Sequence, residues 1–300
     1  MSFYRDYNDK LSFETWNTRN IPTFKTIQVK PISRAGGAEV RGVDLAKDVS
    51  DEQFSEVQRA LAEYQVLAFR DQFISPEEHK NFGRKFGHLH QHVNASKRLP
   101  GGDPEILSWK TGKDSRFTAG EVWHNDVSCD QTPITTSILR ITNLPEGGGG
   151  DTAFVNTHLA YESLSNTYKK FLQELRAEHS GQEGWTNGYG EEPDPGQKFA
   201  ASQHPVVITH PETGRKHLFV SRAFTTHIAD LTRNESQAVL ESLYRQIETN
   251  QAFQYRVRWE PNTVVAWDNW GTQHQAIWDY YPFNRWGDRV SAVAGIKPAP

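Results

Sequence analysis

Cysteine is nearly absent from this chain of 300 residues, since Cys129 is the only one. A single thiol excludes an intrachain disulfide and any cluster that several thiolates would hold. Although Cys129 follows Asp126 by only three residues, a free cysteine most often packs as a small buried hydrophobe. We therefore expect Cys129 to be a core residue.

Long apolar runs are also missing. Residues 1–23 are polar and aromatic without an apolar stretch of signal-peptide length. No window of the chain approaches the roughly 20 apolar residues that span a bilayer. These absences predict a soluble, cytoplasmic protein.

Charge of one sign is not concentrated anywhere in the sequence. The formal net charge is −4, and the lysines and arginines are scattered. This distribution offers no basic surface for nucleic acid or for an anionic membrane. The expected partner is a small molecule.

The chain also lacks an internal repeat and a linker that would divide it. Its length suits one large domain. Residues 1–23 show no hydrophobic periodicity and are predicted to form an N-terminal arm. Residues 24–300 are predicted to form a single domain.

Capping signals indicate where the helices begin. Ser50-Asp51-Glu52-Gln53 has capping-box spacing, and apolar residues then recur at helical intervals up to Tyr64. After a short apolar strand over residues 66–69, Ser75-Pro76-Glu77-Glu78 supplies an N-cap, a proline at the first helical position and acidic first-turn residues. Two further helices are predicted, over residues 158–177 and after Thr232-Arg233-Asn234-Glu235.

Short β-rich runs dominate the second half of the chain. Glycine and proline separate them, and they cover residues 134–142, 206–209, 217–220, 253–259, 263–267 and 289–296. Many short strands within one domain are typical of a jelly roll. We therefore predict a mainly β fold with flanking helices, of the α+β class with a jelly-roll core.

One connection is unusually long. Residues 181–199 are rich in Gly, Pro, Glu and Asp, and they include Trp185 and Tyr189. A connection of this length in a compact domain is commonly either a lid or a disordered loop. Both interpretations remain open.

Two distant segments carry residues suited to a metal site. Trp123-His124-Asn125-Asp126 places a histidine and a carboxylate two residues apart, and Gln273-His274 supplies a second histidine. Two imidazoles and one carboxylate on one face of an octahedral metal are the ligand set of non-haem Fe(II) oxygenases. The sequence therefore indicates an oxidative metalloenzyme.

The histidine–acid triplet is weak evidence by itself. With 12 histidines and 37 acids in 300 residues, about 1.5 such triplets arise by chance. A second triplet, His210-Pro211-Glu212, precedes Thr213-Gly214 and is predicted to be a solvent-facing turn. In an extended chain, His124 and Asp126 would instead point to the same side and converge on one ion.

Two alternatives compete at this level. His274 follows a strand-like run and, taken alone, would be an ordinary partly buried histidine. His88, His90 and His92 alternate along the chain and could form a zinc site on one face of a strand.

Taken together, several segments resemble the taurine dioxygenase (TauD/TfdA) family of Fe(II)- and 2-oxoglutarate-dependent oxygenases. In family order they are residues 37–45, residues 86–92, Trp123-His124-Asn125-Asp126-Val127, Gly149-Gly150-Asp151-Thr152, Phe224-Thr225-Thr226 and Trp267-Asp268-Asn269. The resemblance implies a double-stranded β-helix, which is a distorted jelly roll, with iron at one open end. It also implies that O2 and 2-oxoglutarate are consumed, and that His124, Asp126 and His274 bind the iron.

The resemblance further implies roles for residues around the iron. Arg285, eleven residues after His274, matches the arginine that holds the far carboxylate of 2-oxoglutarate, with Thr152 as its hydroxyl partner. Arg289 matches the position that binds the anionic group of the primary substrate, and His92 matches a histidine that assists it. Val127 and Phe224 complete the expected substrate pocket, with Trp185 or Tyr189 as further apolar wall.

Three departures from the family pattern fall in the substrate half. Trp270 replaces a common arginine, Gly120 stands where the taurine enzyme has an asparagine, and Val93-Asn94-Ala95 lacks its tyrosine. The expected substrate is therefore a small sulfonate or carboxylate, with taurine itself in doubt. Members of the family often form dimers or tetramers, so a homo-oligomer is a further expectation.

Other reactions remain open at this level. Desaturation or cyclisation of an amino-acid-like or natural-product substrate would use the same site. A zinc-dependent hydrolase would use the same three ligands with an activated water. A catalytically silent jelly-roll binding protein is a third class, for which a full ligand set is unexpected.

Overall fold

The computed structural model describes residues 7–92, 102–189 and 192–300. The α-helices in these ranges are α1 (Tyr7–Asn17), α2 (Asp51–Tyr64), α3 (Pro76–Arg84), α4 (Thr157–Glu162), α5 (Asn166–Gln173), α6 (Gly181–Tyr189) and α7 (Arg233–Thr249). A 3-10 turn, Gln251–Phe253, follows α7. The strands are β1 (Gln28–Pro31), β2 (Ala38–Arg41), β3 (Val66–Phe69), β4 (His88–Leu89), β5 (Leu107–Thr111), β6 (Thr136–Asn143), β7 (Thr152–Asn156), β8 (Arg176–Ser180), β9 (Ala201–Pro205), β10 (Val207–Thr209), β11 (Lys216–Leu218), β12 (Thr225–Ile228), β13 (Gln254–Val257), β14 (Val264–Asp268), β15 (Thr272–Ala276) and β16 (Arg285–Val293).

Two sheets form the jelly-roll core. The larger sheet has the order β1-β2-β3-β14-β6-β16-β4, and β5 also pairs with β16. The smaller sheet has the order β13-β7-β15. The expected mainly β fold with flanking helices is therefore confirmed.

Strand β14 shows how the layers are held together, because it is buried on both faces. Val265 and Trp267 belong to the core cluster that includes Phe154 of the smaller sheet, and the Trp267 and Phe154 rings lie 5.8 Å apart. Val264 and Ala266 point to the opposite face and belong to a second core cluster, which includes the buried apolar residues of helix α2. The alternation of side chains along a strand thus joins the two sheets on one side and the helical layer on the other.

The capping signals of the sequence are confirmed for α2 and α3. Ser50 accepts a hydrogen bond from the Gln53 amide at the start of α2. Ser75 and Glu78 form a reciprocal capping box at the start of α3, with Pro76 at the first helical position. Helix α7 likewise begins after Thr232, as predicted.

The single helix predicted over residues 158–177 is wrong. Helix α4 ends at Glu162, and Ser165 caps the separate helix α5 by accepting from the Tyr168 amide. Serine side chains favour such caps over a helix interior because they satisfy exposed backbone amides. The chain then turns into β8, which pairs with both β9 and β12.

Two segments expected to lack regular structure contain helices. Helix α1 lies within the predicted N-terminal arm, and its Trp16 is buried and donates a hydrogen bond to the Arg34 carbonyl. Helix α6 opens the long connection over residues 181–199. Neither observation tests the predicted homo-oligomer, and whether residues 181–199 act as a lid stays an open question.

A helix long and apolar enough to cross a membrane is not found among the described residues. The cytoplasmic location remains a prediction.

Candidate active site

A cavity of about 240 Å³ opens between the two sheets. Its lining contains every residue assigned to the site from the sequence, namely His92, His124, Asp126, Val127, Thr152, Phe224, His274, Arg285 and Arg289. The structure therefore brings the predicted site residues together.

The two histidines of the predicted triad are paired through their backbones. His124 forms an isolated antiparallel bridge to His274 of β15, with N–O distances of 3.1 Å and 3.0 Å in the two directions. Their rings consequently lie 4.1 Å apart. A pair of backbone hydrogen bonds thus joins two histidines that are 150 residues apart in sequence.

The carboxylate of Asp126 completes a compact group of donor atoms. Its Oδ1 lies 3.6 Å from Nε2 of His124 and 3.8 Å from Nε2 of His274. The three ligand atoms all lie within 4.8 Å of one another. Ser137 of β6 donates its hydroxyl to Oδ2 at 2.6 Å, which leaves Oδ1 turned towards the histidines.

The protonation states of the triad suit a metal ion. Burial holds the pKa of His274 well below its ordinary value, so the ring is neutral. Nδ1 of His124 lies 2.7 Å from the Val122 carbonyl oxygen. In the tautomer with the proton on Nδ1, this nitrogen donates to the carbonyl and Nε2 keeps its lone pair for a metal ion. Burial acts to raise the pKa of Asp126, but the charge of Arg289 and, after it, the neighbouring imidazoles outweigh burial and keep this pKa well below the usual range. Neutral imidazoles and an ionised carboxylate are the forms that bind metal.

Arg285 and Thr152 line the same cavity as the triad. Arg285 is only 2% exposed, and its Nε has no hydrogen-bond partner among the described residues. The Thr152 hydroxyl accepts a hydrogen bond from Trp259 at 3.1 Å, which leaves its own proton for a ligand. Gly150, with φ of +72°, lets Arg285 lie against the backbone, because a Cβ there would be 2.8 Å from Nε. A buried guanidinium with an unpaired N–H group is suited to bind a carboxylate.

A second arginine lies closer to the triad. Arg289 is four residues from Arg285 on β16 and lies on the same face of the strand. Its guanidinium forms an ion pair with Asp126, and its Nε is buried without a hydrogen-bond partner among the described residues. Nε2 of the buried His92 likewise lacks one, and burial and then Arg289 hold the pKa of His92 well below its usual value. Arg289 and His92 thus each carry a buried ring or guanidinium nitrogen that has no hydrogen-bond partner in the described part of the chain.

The opposite wall of the cavity is aromatic. Helix α6 brings Trp185 into the lining, and the Trp185 ring packs 6.1 Å from that of Phe199. Gly184 lies directly on Phe224, since a Cβ at residue 184 would clash with the ring. Tyr189, also considered for this wall, has its side chain outside the described part of the chain.

The competing zinc site at the alternating histidines is wrong. Strand β4 ends at Leu89, so the three histidines do not share one strand face. His88 is exposed, whereas His90 and His92 line the cavity with rings 4.8 Å apart. Nε2 of His90 contacts Asp130 at 3.1 Å instead of a shared ion.

The solvent-facing prediction for His210 is also wrong. The residue does lie in the turn between β10 and β11, but it is 7% exposed and contacts Asp268 at 3.0 Å. Burial acts to lower the pKa of His210, yet the Asp268 carboxylate outweighs it and raises the pKa. A partner distant in sequence thus buries His210, whereas Pro211 and Glu212 of the same turn are exposed as predicted.

Cys129 is buried, and burial and Asp130 raise its pKa to about 12. The expected core packing is confirmed, and its thiol is held in the unreactive protonated form. It also lines the edge of the cavity.

Departures from the family pattern have local structural explanations. Gly120 has φ of +85°, and a Cβ there would approach Cε1 of His124 at 3.2 Å. Trp270 is buried against Phe219, with ring centroids 6.4 Å apart. The third departure, residues 93–95, lies outside the described residues.

Sequence reasoning missed the residues that hold the triad in place. Ser137 and Asn269 each hydrogen-bond to Asp126. Asn269 belongs to Trp267-Asp268-Asn269, a segment that carried the family resemblance, so its importance could have been predicted from the sequence. Ser137 had none, because its distance from Asp126 is set by strand pairing in the large sheet.

Comparisons with known proteins agree with this geometry. The family model "Taurine catabolism dioxygenase TauD, TfdA family" matches residues 28–291. An alpha-ketoglutarate-dependent sulfonate dioxygenase of Saccharomyces cerevisiae is 31% identical over 306 residues, which cover 97% of this chain and 73% of that protein. An alkylsulfatase of Acinetobacter baylyi is 31% identical over 281 residues, covering 90% and 86%. The crystal structure of a taurine dioxygenase from Burkholderia xenovorans matches with a TM-score of 0.76 at 34% identity, covering 92% of this chain and 93% of that one. The chain therefore belongs to the TauD/TfdA family of dioxygenases.

Proposed function

We propose that this protein is an Fe(II)- and 2-oxoglutarate-dependent dioxygenase that oxidises a C–H bond of a small organic anion. The observation that carries the proposal is the arrangement of His124, Asp126 and His274 beside the buried Arg285 and the partly buried Arg289, all of which line one cavity. When bound, the iron and 2-oxoglutarate supply the oxidising chemistry, in which O2 is consumed and succinate and CO2 are formed.

The protein's own residues bind and orient the reactants. Arg285 and Thr152 would hold the far carboxylate of 2-oxoglutarate through charge-assisted hydrogen bonds. Arg289 and His92 would hold the anionic group of the substrate and so present one C–H bond to the metal. The burial of the triad excludes water from the reacting centre.

The cavity favours a substrate with an apolar tail. Among the described lining residues, the acids are Asp126 and Asp130, and His90 pairs with Asp130. An ammonium group such as that of taurine would therefore lack a free carboxylate, while Trp185, Phe199 and Phe224 offer aromatic surface. The sulfonate dioxygenase and the alkylsulfatase among the relatives support an alkyl sulfonate or sulfate ester.

Succinate formation tests the reaction. Metal-free protein is loaded anaerobically with Fe(II), mixed with 2-oxoglutarate and O2, and offered sulfonates, alkyl sulfates, aryloxyalkanoates and amino acids. We expect one anionic class to stimulate succinate formation, with a product that has gained one oxygen atom or has lost sulfite or sulfate through it. A product that has instead lost two hydrogens would indicate desaturation or cyclisation.

The proposal fails if the iron-loaded protein neither binds 2-oxoglutarate nor forms succinate. Anaerobic turnover by the zinc-loaded protein without 2-oxoglutarate would identify a hydrolase instead. That reaction has no use for the buried pair of Arg285 and Thr152.

Chain length tests the substrate class. In a series of linear alkyl sulfonates, kcat/KM should rise about fourfold for each methylene that enters the aromatic part of the cavity. Taurine should be a poorer substrate than the linear alkyl sulfonate of equal chain length. A preference for taurine over the alkyl sulfonate of equal length would contradict the predicted apolar tail.

A further inference from the structure

Two buried asparagines connect the His124–Asp126 segment to the turn between β14 and β15. Asn269 accepts a hydrogen bond from the Asp126 amide at 2.8 Å and donates to the carbonyls of Asp126 and Ile134, each at 2.9 Å. Asn125 donates to the carbonyls of Asn269 and Thr272 at 2.7 Å and 2.8 Å. We call Asn125 and Asn269 the asparagine clasp.

The clasp is fully enclosed. Asn269 is 0% exposed and Asn125 is 1% exposed. Water does not reach these amides, so each lost hydrogen bond would leave a backbone group buried without a partner. Four of the five bonds join two segments that contribute different ligands, since Asp126 lies in one and β15 carries His274 after the other, and the fifth bond goes to Ile134.

The backbone held by the clasp is strained. Val127, directly after Asp126, has φ of +47°, a left-handed conformation that a β-branched residue rarely adopts. Such a conformation persists only where surrounding contacts determine it, and it often marks a functional site. Asn269 bonds both the amide and the carbonyl of Asp126, which adjoin this strained residue.

We propose that Asn125 and Asn269 are positioning residues that set the metal affinity of the site. By holding the Asp126 backbone next to the strained Val127, the clasp keeps Oδ1 turned towards the two histidines before a metal arrives. The proposal rests on the proposed function, because it takes His124, Asp126 and His274 as the metal ligands. Groups that orient a ligand in this way change metal affinity by about 10- to 100-fold when they are removed.

Gln72 provides a matched control. Its side-chain amide also makes one accepted and two donated hydrogen bonds to backbone groups, with Leu45, Val43 and Arg70. These partners do not line the cavity. Gln72→Ala should therefore cost stability in the same way as a clasp variant without affecting the metal site.

The experiment measures Mn(II) binding to the metal-free full-length protein by titration calorimetry, together with its melting temperature. Asn269→Ala and Asn125→Ala should weaken Mn(II) binding by about 10- to 100-fold. Asn125→Ser keeps one donor and should recover part of that loss. Gln72→Ala should lower the melting temperature and leave the dissociation constant within about twofold of the parent.

Each outcome is decisive at temperatures where the variants remain folded. Unchanged Mn(II) affinity in the clasp variants, or an equal loss in Gln72→Ala, would overturn the positioning role. If Asn269→Ala does not fold, the comparison of Asn125→Ala with Asn125→Ser gives the answer. Failure of the parent protein to bind Mn(II) would count against the proposed function, and the two failures are thereby distinguished.

Discussion

Arg285 and Arg289 are four positions apart on β16, yet they have different neighbours, and we propose that they bind different anions. Arg285 lies against Gly150 and over the Trp259 ring, with its guanidinium carbon 5.8 Å from the ring centroid. Arg289 instead pairs with the triad carboxylate. The two arginines share a residue type and a strand face, so the difference between their proposed ligands arises from their neighbours.

Exchange of each arginine for glutamine should separate the two roles. Arg285→Gln removes a buried charge-assisted contact and should raise the KM for 2-oxoglutarate by about 100-fold or more, since each such bond contributes about 1.5–3 kcal/mol. Arg289→Gln should instead raise the KM for the primary substrate. Steady-state kinetics with each reactant varied in turn give the comparison, with the melting temperatures as a control for folding. Equal effects of both variants on both KM values would contradict the assignment.

Among the secondary-structure elements, helix α6 shapes the aromatic wall of the cavity, where we propose that the substrate binds. It occupies the first half of the connection over residues 181–199, and its Gly184 contacts Phe224 without a side chain between them. Overpacking a close contact of this kind typically costs about 1–3 kcal/mol. Either the helix or the Phe224 ring must therefore shift if residue 184 gains a methyl group.

Gly184→Ala should displace α6 or Phe224 and lower kcat/KM for the primary substrate about tenfold, which corresponds to about 1.4 kcal/mol within the overpacking range. The binding of 2-oxoglutarate in the absence of substrate should not change, because Arg285 and Thr152 lie on the sheets. Gln182→Ala, on an exposed position of the same helix, is the control and should behave as the parent. A normal kcat/KM for Gly184→Ala would show that α6 does not shape the substrate end.

A second prediction at this scale concerns the start of α3. Ser75 forms the capping box with Glu78, so Ser75→Ala leaves the Glu78 amide without its partner. The free energy of unfolding should fall by about 1 kcal/mol. Denaturant unfolding at neutral pH provides the measurement, and kcat should remain that of the parent. A loss well below 0.5 kcal/mol would mean that the first turn of α3 draws its stability from packing.

For the whole molecule, buried histidines make stability depend on pH. His79 is 0% exposed, and its Nε2 contacts the Ile138 carbonyl at 3.0 Å while Nδ1 has no partner among the described residues. Burial, with a smaller effect of Arg140, lowers its pKa to about 4. The unfolded chain binds this proton near pH 6.5. The contribution of a neutral His79 to the free energy of unfolding is therefore fully present above about pH 6.5 and is lost as the pH falls towards 4.

His79→Gln should reduce this acid sensitivity. In metal-free protein, the unfolding free energy of the parent should fall more steeply than that of the variant, by about 1.4 kcal/mol per pH unit between pH 6 and 4.5. Only the difference in slope is compared, since other groups titrate equally in both proteins. Denaturant unfolding at several pH values gives the slopes, and parallel slopes would contradict a neutral buried His79.

Local signals in the sequence predicted much of this protein. Ser50 and Ser75 marked helix starts because a cap acts on amides two or three residues away. The spacing in His124-Asn125-Asp126, combined with the order of later motifs, indicated the ligand set and the family, and the family is confirmed. The strand-rich pattern predicted the jelly-roll core for a similar reason, since side-chain alternation is a short-range property.

Tertiary structure alone decided which neighbours those residues meet. Pairing in the large sheet places Ser137 on Asp126, and the turn after β14 brings Asn269 to the same residue. The buried ion pair of His210 with Asp268 arises in the same way, from residues 58 positions apart. Such contacts depend on strand register and on packing between layers, which no local pattern encodes. The sequence by itself therefore determined the chemistry available to the site, while the tertiary structure determined the positions of the ligands and the supports that hold them.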